Sequence, residues 1–574
     1  MKDSLNYIGK HKFLLWIIIP AFLLYMFIIF PSGTYLCFEK ECGYYFWGVH
    51  GRDAIWHLAI EAVSFNKIPF ISPTFAGEKL YSYNWFMDFG IFLLSKMGIP
   101  AIISYFKLIP VVWFIVFTFL LTTFARKVKD NPLFVSLFLL MSYFAGSFSY
   151  LLTLYHSKTI KDSSTLLLQP ILHSMSNLQY ALSLLLFLAL LILIKDRKIT
   201  LRQVVLNGMI LFCMFGLKFY GGLIGLFLMS IHLVLNFFQN LHKEKIKIFF
   251  TYVFYFLLLA IFVGFSVLIF YNPFQSGKTG FPFGFAPFAL IHPITEAPDQ
   301  FYLQSMTDAR YYLQQFKMGP RLFAIEAINL FIFLLFYLGT RFFGIIYIAI
   351  LGVRRKLDTF DAVVVSTLFF SILLTVTLVQ KGVWWNTIQF FFYAVFLSTI
   401  YLTKLIDDLF RSKQKLLLVI GMFIVLLSLP TSYDLFWHFM TSRPTYIPKE
   451  EVEALNFLKK QPQGVVLDEQ FKLDMTTSTG KNFPLYGYGD SSHIAAFSGQ
   501  QQYIADVQTL GVSSVPYEKR LERIKKKDCT ILKEVDYVYE VKLLPAAKKI
   551  ITVCKPKASK KIFENTLIRI YSLY

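Results

Sequence analysis

One run in this chain gathers ionisable residues at helical spacing: His50-Gly51-Arg52-Asp53-Ala54-Ile55-Trp56-His57-Leu58-Ala59-Ile60-Glu61. On a helix, Asp53 and His57 lie four residues apart and about 40° apart around the axis, and Glu61 continues the same edge one step further. An acid, an imidazole and a second acid along one edge can share a proton as catalytic groups, or hold a metal ion with Asp53 and His57 as its candidate ligands. An HxxxH pair or a facial carboxylate pair would be a stronger metal signature than this spacing. The plainer reading makes Asp53 a helix cap and leaves His57 and Glu61 as solvated interface residues. The opposite edge, Ile55, Leu58, Ala59 and Ala62, is apolar and suited to packing on lipid or protein.

Other residues could bind rather than react. The turn-rich stretch from Phe70 to Trp85 ends in Tyr81-Ser82-Tyr83-Asn84. Its hydroxyls, amide and aromatic faces suit a sugar or an isoprenoid phosphate as well as they suit interface anchoring, so Arg52, Tyr81 and Tyr83 are candidates for a substrate loop. Lys218, set among Gly216, Phe219, Gly221 and Gly222, either snorkels or meets a lipid phosphate. Lys381, before Trp384 and Trp385, has the same two readings. Asp308, Arg310 and Arg321 add an acid and two cations in a second long loop, and arginine can bind phosphate through two nitrogens.

The elements that must position these residues follow from composition. Of 574 residues 56% are hydrophobic and only 16% charged, whereas soluble domains carry about 25% charged residues. This is the composition of an integral membrane protein. The formal charge of +21 reports cytoplasmic loops rather than nucleic-acid binding, because no basic helix with interleaved aromatics stands outside the apolar runs. Collagen-like, coiled-coil and disulfide-scaffold classes are excluded.

Runs of about 20 apolar residues begin with Phe13 to Pro31, behind Lys2, Lys10 and Lys12, which predicts a cytoplasmic N-terminus. Further runs near 101–125, 132–152, 177–194, 203–219, 221–237, 249–270, 328–352, 360–379, 384–403 and 416–432 give about eleven spans. The basic clusters 126–129, 195–198, 243–247, 354–356 and 411–415 then all fall on one side, as the positive-inside rule requires. The apolar segment 85–99 is short and broken by Asp88 and Lys96, so it is predicted to be interfacial or re-entrant. The fold class is a mainly α-helical polytopic membrane protein with a C-terminal soluble α/β domain.

The membrane domain is predicted over 1–440, with long outer loops at 32–100 and 271–327, and the soluble extracytoplasmic domain over 445–574. That domain should open with a helix through Lys460 and carry strands at 464–468, 493–497, 535–540, 549–554 and 566–572. Cys37 and Cys42 share the first outer loop, Cys529 and Cys554 the outer domain, and Cys213 lies in a span. The two even pairs suit disulfides in an oxidising exterior, and small unpaired hydrophobes are the other reading.

No phosphate-binding P-loop, dinucleotide fingerprint, H-E-x-x-H or G-x-S-x-G occurs, so ATP-driven transport, dinucleotide chemistry and familiar hydrolases lack support. Nor does one half of the chain repeat the other, as many secondary transporters do.

Gly51-Arg52-Asp53 with His57 in a long first outer loop, a second long outer loop on a multispan body, and a soluble outer C-terminal domain together resemble the GT-C superfamily of integral membrane glycosyltransferases. Protein mannosyltransferase-like and aminoarabinose transferase-like enzymes belong to that class. The stretch His57 to Asn84, with Pro69, Pro73-Thr74-Phe75-Ala76-Gly77 and Tyr81-Ser82-Tyr83, is similar to the first-loop pattern of bacterial members. The motif likeness covers about 48–88. Mannosyltransferase-like members carry an Asp-Glu pair here, whereas Asp53 is followed by Ala54.

The resemblance implies a plasma-membrane hexosyl- or pentosyltransferase that moves sugar from a polyprenyl-phosphate donor to a glycan, lipid or protein acceptor at the outer face, usually with inversion. It implies Asp53 as general base or part of a Mg or Mn site, with His57 and Glu61 as further catalytic candidates. Lys218, Arg310 and Lys381 are assigned by chemical type to offset the charge of the leaving phosphate. The competing classes are a flippase or transporter of lipid-linked saccharides and a non-catalytic envelope assembly protein.

Overall fold

The architecture was read from a computed structural model. It describes residues 2–38, 41–80, 82–167, 171, 176–195, 199–240, 245–272, 274, 282–316, 319–468, 482–487, 491–513, 515–545, 549–556 and 559–573. Among these, nine helices are long and apolar enough to cross a membrane. Pro132–Phe144 and Ser149–Ser157 form a further pair bent by 50°, and Leu201–Leu217 and Arg341–Val353 are shorter apolar helices. This is a multi-pass membrane protein. Phe86–Lys96, within the segment expected to be interfacial, is an eleven-residue helix outside that set.

Backbone caps explain where several spans begin. Asn131 accepts from the amides of Leu133 and Phe134 ahead of Pro132, and Thr200 with Gln203 and Asp358 with Asp361 form reciprocal capping boxes. Each satisfies amides that a helix start leaves without partners. These starts cluster with ion pairs at one end of the bundle, where Lys195 meets Asp358 at 3.4 Å, Lys404 meets Asp361 at 2.7 Å and Arg411 meets Asp407 at 3.0 Å.

The run 328–352 is not one helix. Pro320–Leu338 and Arg341–Val353 break at Gly339, whose φ is +58°, and a Cβ there would collide with the carbonyl of Gly146. Three helices with one terminus at the basic end, Pro132–Phe144, Arg341–Val353 and Lys415–Leu427, each have 13 residues. Each covers about 20 Å at 1.5 Å per residue, short of a hydrocarbon layer of about 30 Å, and the third runs on through Pro430–Thr441 within the 27-residue span Lys415–Thr441. Irregular backbone inside that layer must be buried in protein. Gly146 N–H donates to Ser428 O, Thr431 Oγ1 to Ser147 O, and Phe148 N–H to Phe336 O, which stitches the three breaks together.

The other end of the bundle carries the sheets. Strands β1 (Thr34–Phe38) and β2 (Glu41–Phe46) form a hairpin in the first long loop; β3 (Phe283–Phe285) pairs with β4 (Leu378–Gln380). Strand β5 (Thr445–Pro448) adds antiparallel to β2, so the first loop and the start of the C-terminal segment share a sheet. After β6 (Val465–Asp468) come β7 (Phe483–Pro484), β8 (Gln501–Gln502), β9 (Tyr537–Val541), β10 (Lys560–Glu564) and β11 (Ile568–Ser572). The sheet orders are β1-β2-β5-β7 and β10-β11-β9-β6-β8.

A helix does open this segment, at Lys449–Lys459. The runs expected as strands at 493–497 and 549–554 are instead the short helices His493–Ser498 and Ile550–Cys554. A short apolar run has too few turns to separate a strand from a buried helix. Cys37–Cys42 and Cys529–Cys554 are disulfides, and Cys213 is free within Leu201–Leu217.

Candidate functional site

The helix Asp53–Val63 follows a tight turn over Gly48–Gly51. A Cβ at Gly51 would run into the hydroxyl of Thr445 on β5, so glycine lets the C-terminal segment press on this turn. The helix packs between Phe86–Lys96 and His493–Ser498, with Ala59 and Val63 against Ala495. Nearly every residue from Ala54 to Glu61 is therefore buried.

Asp53, half-buried at the first turn, accepts from Asn177 Nδ2 at 2.6 Å. His57 Nδ1 lies 3.0 Å from Asp88 Oδ1 and 3.2 Å from Asp88 Oδ2, and both side chains are fully enclosed. Gln179 Nε2 stands 3.2 Å from the same ring nitrogen and donates to the carbonyl of Asn84 at 2.8 Å. Asn84 Nδ2 donates in turn to Gln179 Oε1 and to Leu217 O. The rings of Tyr83 and Tyr105 lie about 6 Å from His57, at 6.0 and 6.2 Å.

Lys218 directly follows Leu217. There the backbone is extended between the helices Leu201–Leu217 and Phe219–Asn240. Its side chain is only 8% exposed and, among the described residues, has no hydrogen bond or ion pair, while Asp53 and Asp88 are close enough to act on its charge. Burial alone would lower the proton affinity of His57, but the charge of Asp88 and their hydrogen bond outweigh it and raise the pKa. Burial raises that of Asp88 against the pull of His57. Burial, with the charges of Asp53 and Asp88 adding, also keeps the Tyr83 phenol protonated.

The remaining predicted residues sit apart. Glu61 accepts from Ser95 Oγ at 2.6 Å, two turns along the helix, where burial raises its pKa. Arg52, 41% exposed, reaches Asp506 Oδ1 of the C-terminal segment at 3.2 Å. Arg310 is buried against Glu296, with Nε at 2.7 Å from Oε1, and Lys381 is exposed in the turn after β4. No described contact joins either cation to Asp53, His57 or Lys218. Tyr81 lies outside the described residues.

Sequence reasoning missed Asp88, Gln179, Asn177 and Asn84 as parts of one network. The usable signal was the acid inside an apolar segment. No three His, Cys, Asp or Glu side chains come together as metal ligands among the described residues. Asp53 and the Nε2 of His57 would supply two ligands at most, fewer than the three protein ligands a catalytic metal site uses, so by themselves they do not fit a metal centre.

Neither a family model nor a curated protein matches this sequence. Among solved structures, arabinofuranosyltransferase AftD from Mycobacteria aligns with a TM-score of 0.53 and 11% identity, covering 98% of this chain and 40% of that one. The chain has the GT-C fold. At this identity the likeness is one of fold, and the chain spans less than half of AftD. The GT-C proteins it resembles also include the archaeal oligosaccharyltransferase AglB from Archaeoglobus fulgidus, in complex with an inhibitory peptide and a dolichol-phosphate. That alignment has a TM-score of 0.45 and 12% identity and covers 93% of this chain and 70% of that one. The Archaeoglobus fulgidus oligosaccharyltransferase in complex with Zn and sulfate aligns at 0.47 and 12%, covering 92% and 68%.

Proposed function

We propose that this GT-C protein transfers a sugar, a hexosyl or pentosyl unit, from a polyprenyl-phosphate donor to an acceptor hydroxyl at the extracytoplasmic face of the plasma membrane. The observation that carries this reading is Lys218, a buried cation without a hydrogen bond or ion pair among the described residues, held within electrostatic reach of Asp53 and Asp88. Burying a charge without a hydrogen-bonded partner is costly. The cost is offset if an anionic group docks there.

In this reading Lys218 receives the donor phosphate and stabilises the negative charge that grows as the bond from C1 to the phosphate oxygen breaks. The acceptor oxygen forms the new bond to C1, and Asp53 takes its proton. Asn177 fixes Asp53 so that one carboxylate oxygen stays aimed while it acts. The apolar length of the bundle suits an isoprenoid chain. The C-terminal segment, meeting the site through Thr445 on Gly51 and Asp506 on Arg52, is suited to acceptor recognition.

Two features support the sidedness. Ion pairs and basic loops gather at the end opposite the site, which the positive-inside rule assigns to the cytoplasm. Both disulfides join segments at the site end, as an oxidising compartment favours.

The test is transfer of radiolabelled sugar from a panel of polyprenyl-phosphate sugars by purified protein, comparing wild type with Asp53→Asn, with and without EDTA. Transfer by the wild type and its loss in the variant is the expected outcome. Equal inertness of both proteins, with retained binding of lipid-linked saccharide, would favour a transporter or scaffold.

A further inference from the structure

The His57–Asp88 pair has no assigned part in the transfer as described above. Nothing in the fold calls for a buried acid at 88. An apolar residue there would let Phe86–Lys96 pack on Asp53–Val63 without desolvating a carboxylate. Asp88 Oδ1 is buried and has no hydrogen bond among the described residues, although it stands 3.0 Å from His57 Nδ1.

The ring is held on one side only. Nδ1 faces Asp88 and Gln179. Among the described residues Nε2 meets no hydrogen-bonding group. An imidazole whose Nδ1–H donates to a carboxylate keeps its lone pair on Nε2, and the carboxylate both fixes that tautomer and stabilises the imidazolium formed when Nε2 takes a proton. His57 also lies four residues from Asp53 on the same helical edge, where side chains are neighbours.

We propose that Asp88 is a positioning residue that holds His57 with Nε2 toward Asp53, making His57 the group on which the acceptor's proton comes to rest. This rests on the transferase reading. The acceptor O–H proton moves to Asp53 as the bond from acceptor oxygen to C1 forms and the phosphate leaves with its electron pair. From Asp53 the proton passes to Nε2 of His57, which restores the carboxylate and pairs the imidazolium with Asp88; Nε2 gives the proton up to water as product leaves, and the neutral ring is ready for the next turnover. Asp88 itself touches neither substrate.

The test compares wild type, Asp88→Asn and Asp88→Glu in detergent-purified full-length protein with two readouts. The first is steady-state transfer of labelled sugar. Asp88→Asn is expected to lower kcat about 100-fold, within the range of acid–base contributions, with KM for the donor and the melting temperature unchanged. Asp88→Glu, which restores a carboxylate, is expected to recover at least about tenfold of that loss.

The second readout needs no turnover. Diethyl pyrocarbonate reacts with an unprotonated ring nitrogen, and its addition to His57 is followed by peptide mass spectrometry against His11 in the same sample. Asp88→Asn lets Nδ1 accept and Nε2 carry the hydrogen, so carbethoxylation of His57 relative to His11 should fall several-fold. A wild-type kcat in Asp88→Asn while Asp53→Asn is dead would overturn this role and leave the transferase reading standing. If wild type transfers nothing, that reading fails, and the modification arm still decides the pair: equal reactivity of His57 in wild type and Asp88→Asn overturns it.

Discussion

Among the described residues, two cations buried next to the spanning helices, Arg341 and Lys218, are held in opposite ways. Arg341, 2% exposed, donates from Nε to Thr399 Oγ1 at 2.8 Å and from Nη2 to the carbonyls of Ala145 at 2.7 Å and Met141 at 3.3 Å. Those carbonyls end the helix Pro132–Phe144, where the helix dipole favours a positive charge. Lys218, almost as buried, has no such partner among the described residues and instead lies in reach of two acids on the first-loop elements. Both charges are costly in an apolar setting. A cation whose donors are committed to backbone is part of the fold, and one left uncommitted beside acids is poised for a ligand.

The sharpest way to break this comparison is to remove the acid that gives the Lys218 region its chemistry. Asp53→Asn should cut label transfer by about 10²–10⁴-fold, the usual contribution of a positioned acid or base, with melting unchanged. A variant with wild-type transfer would turn the Lys218 region into a mere binding surface. Lys218→Met should come next. Charge-assisted hydrogen bonds are worth about 1.5–3 kcal/mol, so the Kd for polyprenyl phosphate in nanodiscs should rise about 10–100-fold, again without loss of melting temperature.

Arg341→Met should do the reverse. It takes the guanidinium donor from the carbonyl of Ala145, while Met141 O keeps the amide of Ala145 and the Thr399 hydroxyl keeps Val395 O, and a buried unsatisfied group costs about 1–3 kcal/mol. Loss of melting temperature and of monodisperse protein is expected, with donor affinity unchanged in the folded fraction. If Lys218→Met destabilises and Arg341→Met weakens donor binding, the two roles are exchanged.

Much of the scaffold was legible because membrane burial writes long signals. Apolar runs and basic clusters located the spans and the register that gathers Lys195, Asp358 and Arg411 at one end. What failed to show was anything decided by a contact distant in the chain. The break at Gly339 sits inside a continuous apolar run and is set by the carbonyl of Gly146, almost 200 residues away. At the site, the i,i+4 spacing of Asp53 and His57 was visible, but their partners were not. Asp88 was legible only as an acid that interrupts an apolar segment, and nothing in the apolar run 177–194 singled out Gln179. Arg310 and Lys381 were chosen by charge type. Arg310 has Glu296 as its partner through a fold of the second loop that no periodicity encodes.

The smallest expected effect concerns the support of the site from the C-terminal side. His493, at the head of a run whose pattern predicts a strand, starts the helix that packs on Asp53–Val63, with Nε2 at 2.9 Å from Glu451 Oε1 and the Tyr539 hydroxyl donating to the same oxygen at 3.2 Å. Burial would lower the pKa of His493, but the charge and hydrogen bond of Glu451 outweigh it and raise it above the ordinary 6.5. The folded protein therefore binds this proton more tightly than the unfolded chain. The resulting stability is fully present below pH 6.5 and is lost as pH rises through the raised value. Each tenfold gain in proton affinity is worth about 1.4 kcal/mol. Melting temperature should accordingly fall as pH rises above neutrality, and His493→Gln should flatten that slope. Because His493 meets Glu451 and no group of the Lys218 region, the variant should leave relative transfer rates and donor Kd unchanged at acidic pH. A loss of transfer there without a change in melting would place this pair with Lys218 rather than with Arg341.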